Sequence, residues 1–404
     1  MTQVSSLFRN RNFLLLWFSS IFGNLALAVA TLSETWYVVK TLGVKEQLGF
    51  VMIAGSVPRI VLMAFGGVLA DRMKRTRIIR FSLTTRVFLM LALVGLLYFN
   101  ALNIVTLTGF AFLYGALDAF FWPARDALLP SVVPDLDLPR ANSVMLTTNQ
   151  IGLVFGPVLG GALLALLSYE WVFVFTAIML AAGTLCVAQV KEPPMDWHAA
   201  RKHVLAELKE GVQYALSSPV LRSLMIIYAI ANLLFMGPLA LGVPIVAADN
   251  LHGNAAVLSY LQSAFAAGMV TGGFLLTIFP PRKKRLLMIA LVIVAEGVLL
   301  GSLSHVTWLA LAVCVQFLTG LGVVSNNVPM MSLIQQYADR SKIGRVMSLN
   351  TMASMGLSPL SYAMVTGLLS LHIGIGVIMP VFCLTMSAAM LLLIWGMPAI
   401  RQID

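Results

Sequence analysis

The stretch GGVLADRMKRTRIIR, residues 66–80, decides how the chain is read. A long apolar run closes on two glycines at its start, and a second apolar run opens at its end. Between them stand Asp71 and five basic residues: Arg72, Lys74, Arg75, Arg77 and Arg80. A soluble hairpin has no reason to concentrate charge between two greasy flanks. A hairpin at a membrane surface does, because lysine and arginine are retained on the cytoplasmic side of short loops.

Composition carries the same message over the whole chain. Hydrophobic residues make up 59% of 404 positions and charged residues 10%, where soluble domains carry about a quarter charged. Mean hydropathy is +0.92. A spanning helix needs roughly 20 mostly apolar residues, and such segments fall at about 13–39, 47–70, 77–99, 103–124, 142–167 and 170–190. They resume at about 221–248, 255–279, 286–304, 307–331, 345–370 and 374–397. The expected fold class is therefore an all-α membrane protein of twelve spans. It comprises an N-terminal bundle (1–190), a linker with an amphipathic surface helix (191–218) and a C-terminal bundle (219–404). The opening MTQVSSLFRNRN leads into a segment too long for a signal h-region, so it reads as the approach to the first span.

With both termini inside, the inner loops collect Arg9, Arg11, the bases of 72–80, Arg125, Arg140, 282–285, Arg340, Lys342 and Arg345. The outer side keeps only Lys40 and Lys45. That bias sets the orientation in a bacterial cytoplasmic membrane. It also accounts for the net charge of +10 without nucleic acid as a partner. Cys186, Cys314 and Cys383 lie inside apolar runs and read as small core residues without disulfides. His252, His305 and His372 fall in outer loops with no metal spacing. No nucleophile–base set or phosphate loop is present, so neither an enzyme nor a cofactor is expected.

The two halves echo each other. Gly66–Gly67 and Gly272–Gly273 end corresponding spans 206 residues apart, and Pro123 lies the same distance from Pro329. Parallel six-span repeats imply a pseudo-twofold axis along the membrane normal and transport by rocking.

At this point the chain resembles a major facilitator superfamily transporter. The loop after span 2 matches the superfamily signature at Gly67, Asp71, Arg72 and Arg75, with Lys74 and Thr76 departing from it. By that resemblance the loop is a cytoplasmic gate centred on Asp71, a carboxylate suited to backbone N–H groups at a helix start and to nearby arginines. The second-half copy lacks the aspartate. In span 5, Gly152, Gly156, Pro157, Gly160 and Gly161 are similar to the antiporter signature associated with exporters. Glycines four apart also make a flat packing face, so a plain helix contact is the competing account. FFWPARDALLPSVVP (120–134) and GRVMSLN (344–350) resemble the macrolide and multidrug efflux branch, which includes siderophore exporters.

Five ionisable residues sit inside spans, where they are costly and usually paired or functional: Glu34, Arg59, Arg86, Asp118 and Glu296. Folding spans 3 and 4 about residues 101–102 brings Arg86 beside Asp118, as a static pair or one that exchanges during transport. Arg59 falls roughly 10 Å deeper than Glu34, so no bridge between them is expected. Arg59 instead fixes another carboxylate or holds an anionic substrate. Glu34, among Trp36 and Tyr37, is read as the first proton-coupling candidate with Asp118 second, Arg59 and Arg86 tuning them. It equally suits a cationic substrate or a place in the interfacial belt. Folding about 305–306 sets Glu296 beside Gln316 as a scaffold contact.

By the resemblance, spans 1, 4, 7 and 10 line the cavity. Substrate-binding candidates are Asn24, Glu34, Arg59, Phe121, Asn232, Met236, Gln316 and Asn327. The expected activity is proton-coupled export of a small amphiphilic molecule by a monomer in the lipid bilayer. Competing readings are a siderophore or other anionic-metabolite exporter, a lipid or lysolipid flippase, and a non-transporting receptor or scaffold.

Overall fold

The structure is a computed structural model that describes residues 6–70, 72–193, 213–214, 217–339 and 343–397; side chains at 6, 64, 68 and 343–355 are not described. Asp71 and most of the expected linker helix therefore lie outside the described residues.

Twelve long helices account for nearly all the described chain. In the first half they are α1 (Arg11–Thr41), α2 (Leu48–Ala70), α3 (Arg75–Tyr98), α4 (Ile104–Val132), α5 (Leu138–Leu166) and α6 (Tyr169–Ala188). In the second half they are α7 (Pro219–Asp249), α8 (Ala255–Ile278), α9 (Arg285–Leu303), α10 (Leu309–Tyr337), α11 (Ile343–Ser370) and α12 (Ile375–Gly396). All but α11 meet the length and hydropathy of a membrane span among the described residues. In hydrocarbon each backbone group must be satisfied within its own segment, which selects helices. Short polar caps close their ends. Asn10 accepts from the N–H groups of Asn12 and Phe13, while its amide donates to Val132 O at 2.7 Å. Asn103 and Thr106 form a reciprocal box at the start of α4.

Contacts divide the chain into two compact units. The first is Met1–Gly43 with Val51–Ala199, and the second is Val44–Phe50 with Ala200–Asp404. Inside the first unit α1 packs on α5 and α6, and α3 on α4 and α6. Each pairing recurs six helices later: α7 on α11 and α12, α9 on α10 and α12. The α2–α4 and α8–α10 crossings are built on glycine. A Cβ on Gly115 would lie 1.9 Å from Gly55 O, and one on Gly268 would lie 1.9 Å from Phe317 O. Both units also carry a π-helical turn in their first span, at its end in Tyr37–Thr41 and within it at Pro238–Gly242, a feature the sequence did not reveal. Pro238 and Pro244 remove backbone donors around the second.

The end of α4 differs most from its sequence reading. α4 continues through Pro123 and Pro130 to Val132 instead of stopping near residue 124. Arg125 is thus a buried helical residue, not part of an inner loop. Proline within a span removes one hydrogen bond but leaves the helix running where neighbours pack against it.

Candidate functional site

The first unit gathers its buried charge on Asp118, halfway along α4. Arg86 Nη2 on α3 reaches Asp118 Oδ1 at 2.9 Å, at the level that folding about residues 101–102 gives. Arg59 Nη1 on α2 reaches Oδ2 at 3.3 Å. Trp122, one turn along α4, donates its indole N–H to the same Oδ2 at 3.0 Å. Arg86 is 1% exposed, and its guanidinium lies 4.6 Å from the Tyr114 ring centroid and 5.4 Å from that of Phe121. The Arg59 side chain remains 35% exposed. One carboxylate therefore serves two cations of very different accessibility.

The network continues toward the end of α4. Arg125 lies 4.2 Å from the Trp122 ring, donates to Asp126, and reaches Asn149 Oδ1 on α5 at 3.4 Å. Asn24 on α1 donates to that same oxygen at 2.7 Å. Polar and cation–π contacts thus run from α1 through α5 and α4 to α3 and α2. Arg125 and Asn149 were missed by sequence reasoning. Trp122 carries a legible signal in its i,i+4 spacing from Asp118.

Glu34 is half-buried and makes no hydrogen bond or ion pair with a described residue. It does lie close enough to Tyr114, the ring covering Arg86, to act on it electrostatically. Both arginines face Asp118, and neither contacts Glu34 among the described residues; for Arg59 this agrees with the depth reading of the sequence. The cause is depth: Arg59 sits too far along α2 to reach back. Phe121 is 2% exposed and packs behind Arg86, inside the unit rather than on a wall.

The loop after α2 has an acid that the motif does not include. Glu192, beyond α6, accepts from the backbone N–H groups of Arg75 and Thr76 at 3.0 Å each and from the Thr76 hydroxyl at 2.8 Å. It fills at the start of α3 the capping role that the sequence suggested for Asp71. The Arg75 guanidinium reaches Ser131 near the end of α4. Arg72 is exposed, and a Cβ on Gly67 would meet open space.

The glycines of α5 lie against α1 in register. A Cβ on Gly152 would stand 3.3 Å from Asn24 Cβ, one on Gly156 2.3 Å from Ala28 Cβ, and one on Gly160 3.2 Å from Leu32 Cδ2. Pro157 and Gly161 are buried in the same helix. The stripe is the contact that lets two helices approach closely.

In the second unit, Asn232 and Met236 of α7 and Asn327 of α10 line one narrow cleft with Tyr228, Phe235, Glu296 and Asn326. Glu296 Oε1 accepts from Asn326 Nδ2 at 2.6 Å, and its stem crosses Gly322, where a Cβ would lie 2.8 Å from Glu296 Cγ. The expected Glu296–Gln316 contact is absent among the described residues. Residues 306–308 are non-helical, with Trp308 extended. Gln316 is buried with its Oε1 unpartnered and does not line the cleft. Asn232 spends its amide N–H on Tyr228 O, leaving a buried Oδ1 without a partner. A carboxyl group and an amide oxygen above Phe235 and Met236 make an acceptor-rich, adaptable apolar pocket.

Repeated six-helix units with charge buried inside their spans define a multi-pass membrane transporter. The chain belongs to the Major Facilitator Superfamily, whose profile matches residues 13–362. It is 23% identical over 347 residues to macrolide efflux protein A of Streptococcus pyogenes, covering 83% of this chain and 84% of that protein. It is 28% identical over 338 residues to the enterobactin exporter EntS of Citrobacter koseri (80% and 76% covered). It is 28% identical over 234 residues to the multidrug efflux pump Tap of Mycolicibacterium fortuitum (55% and 56%). Among solved structures, a POT family transporter in complex with 5-aminolevulinic acid aligns with a TM-score of 0.72 at 12% identity over 97% of both chains. An inward-facing, occupied bacterial homolog of the human lysosomal transporter Spinster aligns at 0.69 and 14%, over 99% of both chains. At those identities the structures establish the fold alone.

Proposed function

We propose that the protein is a secondary exporter of small amphiphilic compounds of the drug or macrolide type, driven by proton antiport through alternating access. On this reading it is a monomer in the bacterial cytoplasmic membrane with both termini inside, its two bundles joined by the 191–218 linker. The observation that carries the proposal is the charge balance of the first unit. Two arginines on Asp118 leave one surplus positive charge, and the nearby unpaired Glu34 cancels it when ionised. Protonating Glu34 uncovers that charge inside the span, which costs several kcal/mol at low dielectric. Proton binding is thereby tied to a change of conformation. In the second unit, Glu296 and the Asn232 carbonyl select a cationic donor, while Phe235 and Met236 tolerate varied apolar shapes.

A second reading draws on the exposed Arg59 guanidinium and on the enterobactin exporter among the relatives: export of an anionic metabolite, with Arg59 as its anchor. Proteoliposomes with an imposed pH gradient and a pH-sensitive dye separate the two. Lipophilic cations, macrolides and catecholates are added in turn to the native protein and to Glu34→Gln. Proton release triggered by cations or macrolides and lost in the variant is the expected result. Release triggered only by catecholates selects the anionic reading. Transport of any compound without proton movement refutes antiport.

A further inference from the structure

We infer that the first unit holds a specific anionic glycerophospholipid at the start of α3, its phosphate on Lys74, Arg77 and Arg80 and an acyl chain in the groove between α2, α3 and α4. Two adjoining cavities carry the inference. One, of about 470 Å³, opens between the first turns of α3 and the end of α6, and presents Lys74, Thr76, Arg77 and Arg80. The other, of about 760 Å³, is lined almost entirely by apolar groups, among them Phe81, Leu117 and Phe120. Arg77 borders both. The one hydroxyl in the groove, Ser82, is already satisfied by Leu117 O at 2.9 Å.

Charge points the same way. Lys74, Arg77 and Arg80 are exposed on successive turns of one helix, and none makes an ion pair or side-chain hydrogen bond with a described residue. The acid beside them, Glu192, spends its oxygens on the start of α3 and on the Thr76 hydroxyl. Three uncompensated cations are left facing a cavity. Phe81, 68% exposed, lies one turn beyond Arg77 toward the middle of the span, about 6 Å along the axis. A phosphodiester held by Arg77 therefore delivers its chain onto Phe81 and the groove behind it. Free phosphate satisfies the cations but leaves the groove empty, and a zwitterionic lipid brings an ammonium into a basic pocket. On the orientation proposed above, the site faces the cytoplasmic leaflet, where basic pockets between spans take anionic headgroups.

The test uses the delipidated full-length protein in detergent and native mass spectrometry. The probes are phosphatidylglycerol, phosphatidylcholine with the same chains, and inorganic phosphate. Phosphatidylglycerol is expected to bind in preference to phosphatidylcholine. Arg77→Gln/Arg80→Gln is expected to weaken it by roughly thirtyfold, at about fivefold for each basic residue near an anionic lipid. The charge-preserving Arg77→Lys/Arg80→Lys keeps most of the affinity, which separates lost charge from lost fold. Phe81→Asp lowers lipid binding while leaving the elution profile of the protein unchanged. Equal binding of the two lipids, or full binding by the glutamine variant, overturns the inference. So does displacement of phosphatidylglycerol by equimolar inorganic phosphate, which would make this a phosphate site.

Discussion

Removing the negative charge of Asp118 is expected to be among the most damaging single changes in the first unit, and the structure ranks its consequences. Asp118 is 2% exposed and its partner Arg86 1%. In Asp118→Asn the Arg86 guanidinium stays buried with only aromatic faces and a neutral amide nearby, whereas Arg59 is the less enclosed of the two cations. Breaking one side of a buried pair costs about 3–5 kcal/mol. Replacing both Arg86 and Asp118 by Met and Leu removes the stranded charge, so the double variant is expected to regain about 1–4 kcal/mol of that loss. A cycle on Arg59 and Asp118 tells a different story. With its side chain about one-third exposed, Arg59 couples to Asp118 by at most about 1 kcal/mol. The assay is reversible unfolding in mixed micelles, giving coupling energies from the two cycles. Comparable coupling in both cycles, or a loss below about 1 kcal/mol in Asp118→Asn, would refute the claim that Arg86 depends on this carboxylate.

Two further outcomes follow from contacts elsewhere in the unit. Gly156→Ala places a methyl 2.3 Å from Ala28 Cβ and is expected to destabilise by about 1–3 kcal/mol. Adding Ala28→Gly restores most of that in the same unfolding assay, and no rescue would mean that α5 does not meet α1 here. Glu192→Ala strips two backbone donors at the start of α3 and is expected to cost about 0.5–2 kcal/mol. Faster amide exchange should be confined to the first turn of α3, and exchange unchanged at Arg75 and Thr76 would rule out the cap.

What was legible in the sequence follows from the physics of each feature. Spans are legible because the bilayer demands long apolar runs. The Arg86–Asp118 pair is legible because Phe99–Asn103 is a short turn between helices of similar pitch, so counting residues measures depth. The same counting missed the partner of Glu296: the loops 99–103 and 304–308 are alike, yet Asn326 lies ten residues further along α10 than the Gln316 that the count selects. Pro123 hid the true end of α4, and with it the burial of Arg125. No local signal marks Glu192 as the cap of α3, since 116 residues separate it from Thr76. That contact exists only once α6 has packed against α3.

The repeat itself supports the ligand role proposed above for Glu296 over a scaffold role. Arg86 stands eleven residues into α3, and Glu296 stands eleven residues into α9. Both point from the third helix of their unit to the fourth, Arg86 onto Asp118 and Glu296 onto Asn326. One geometric position thus carries a cation in the first unit and an acid in the second. A packing contact would be filled most cheaply by apolar residues in both copies, because a buried ionisable group is costly wherever it is placed. The first copy stations a carboxylate between two arginines, which holds Asp118 in a paired, buried state. The second copy leaves its carboxyl against a neutral amide at the edge of a cleft, where a cationic ligand supplies the missing partner. Two copies of one scaffold carry opposite charge at one position, and on the function proposed above this divides proton handling from ligand selection along the chain.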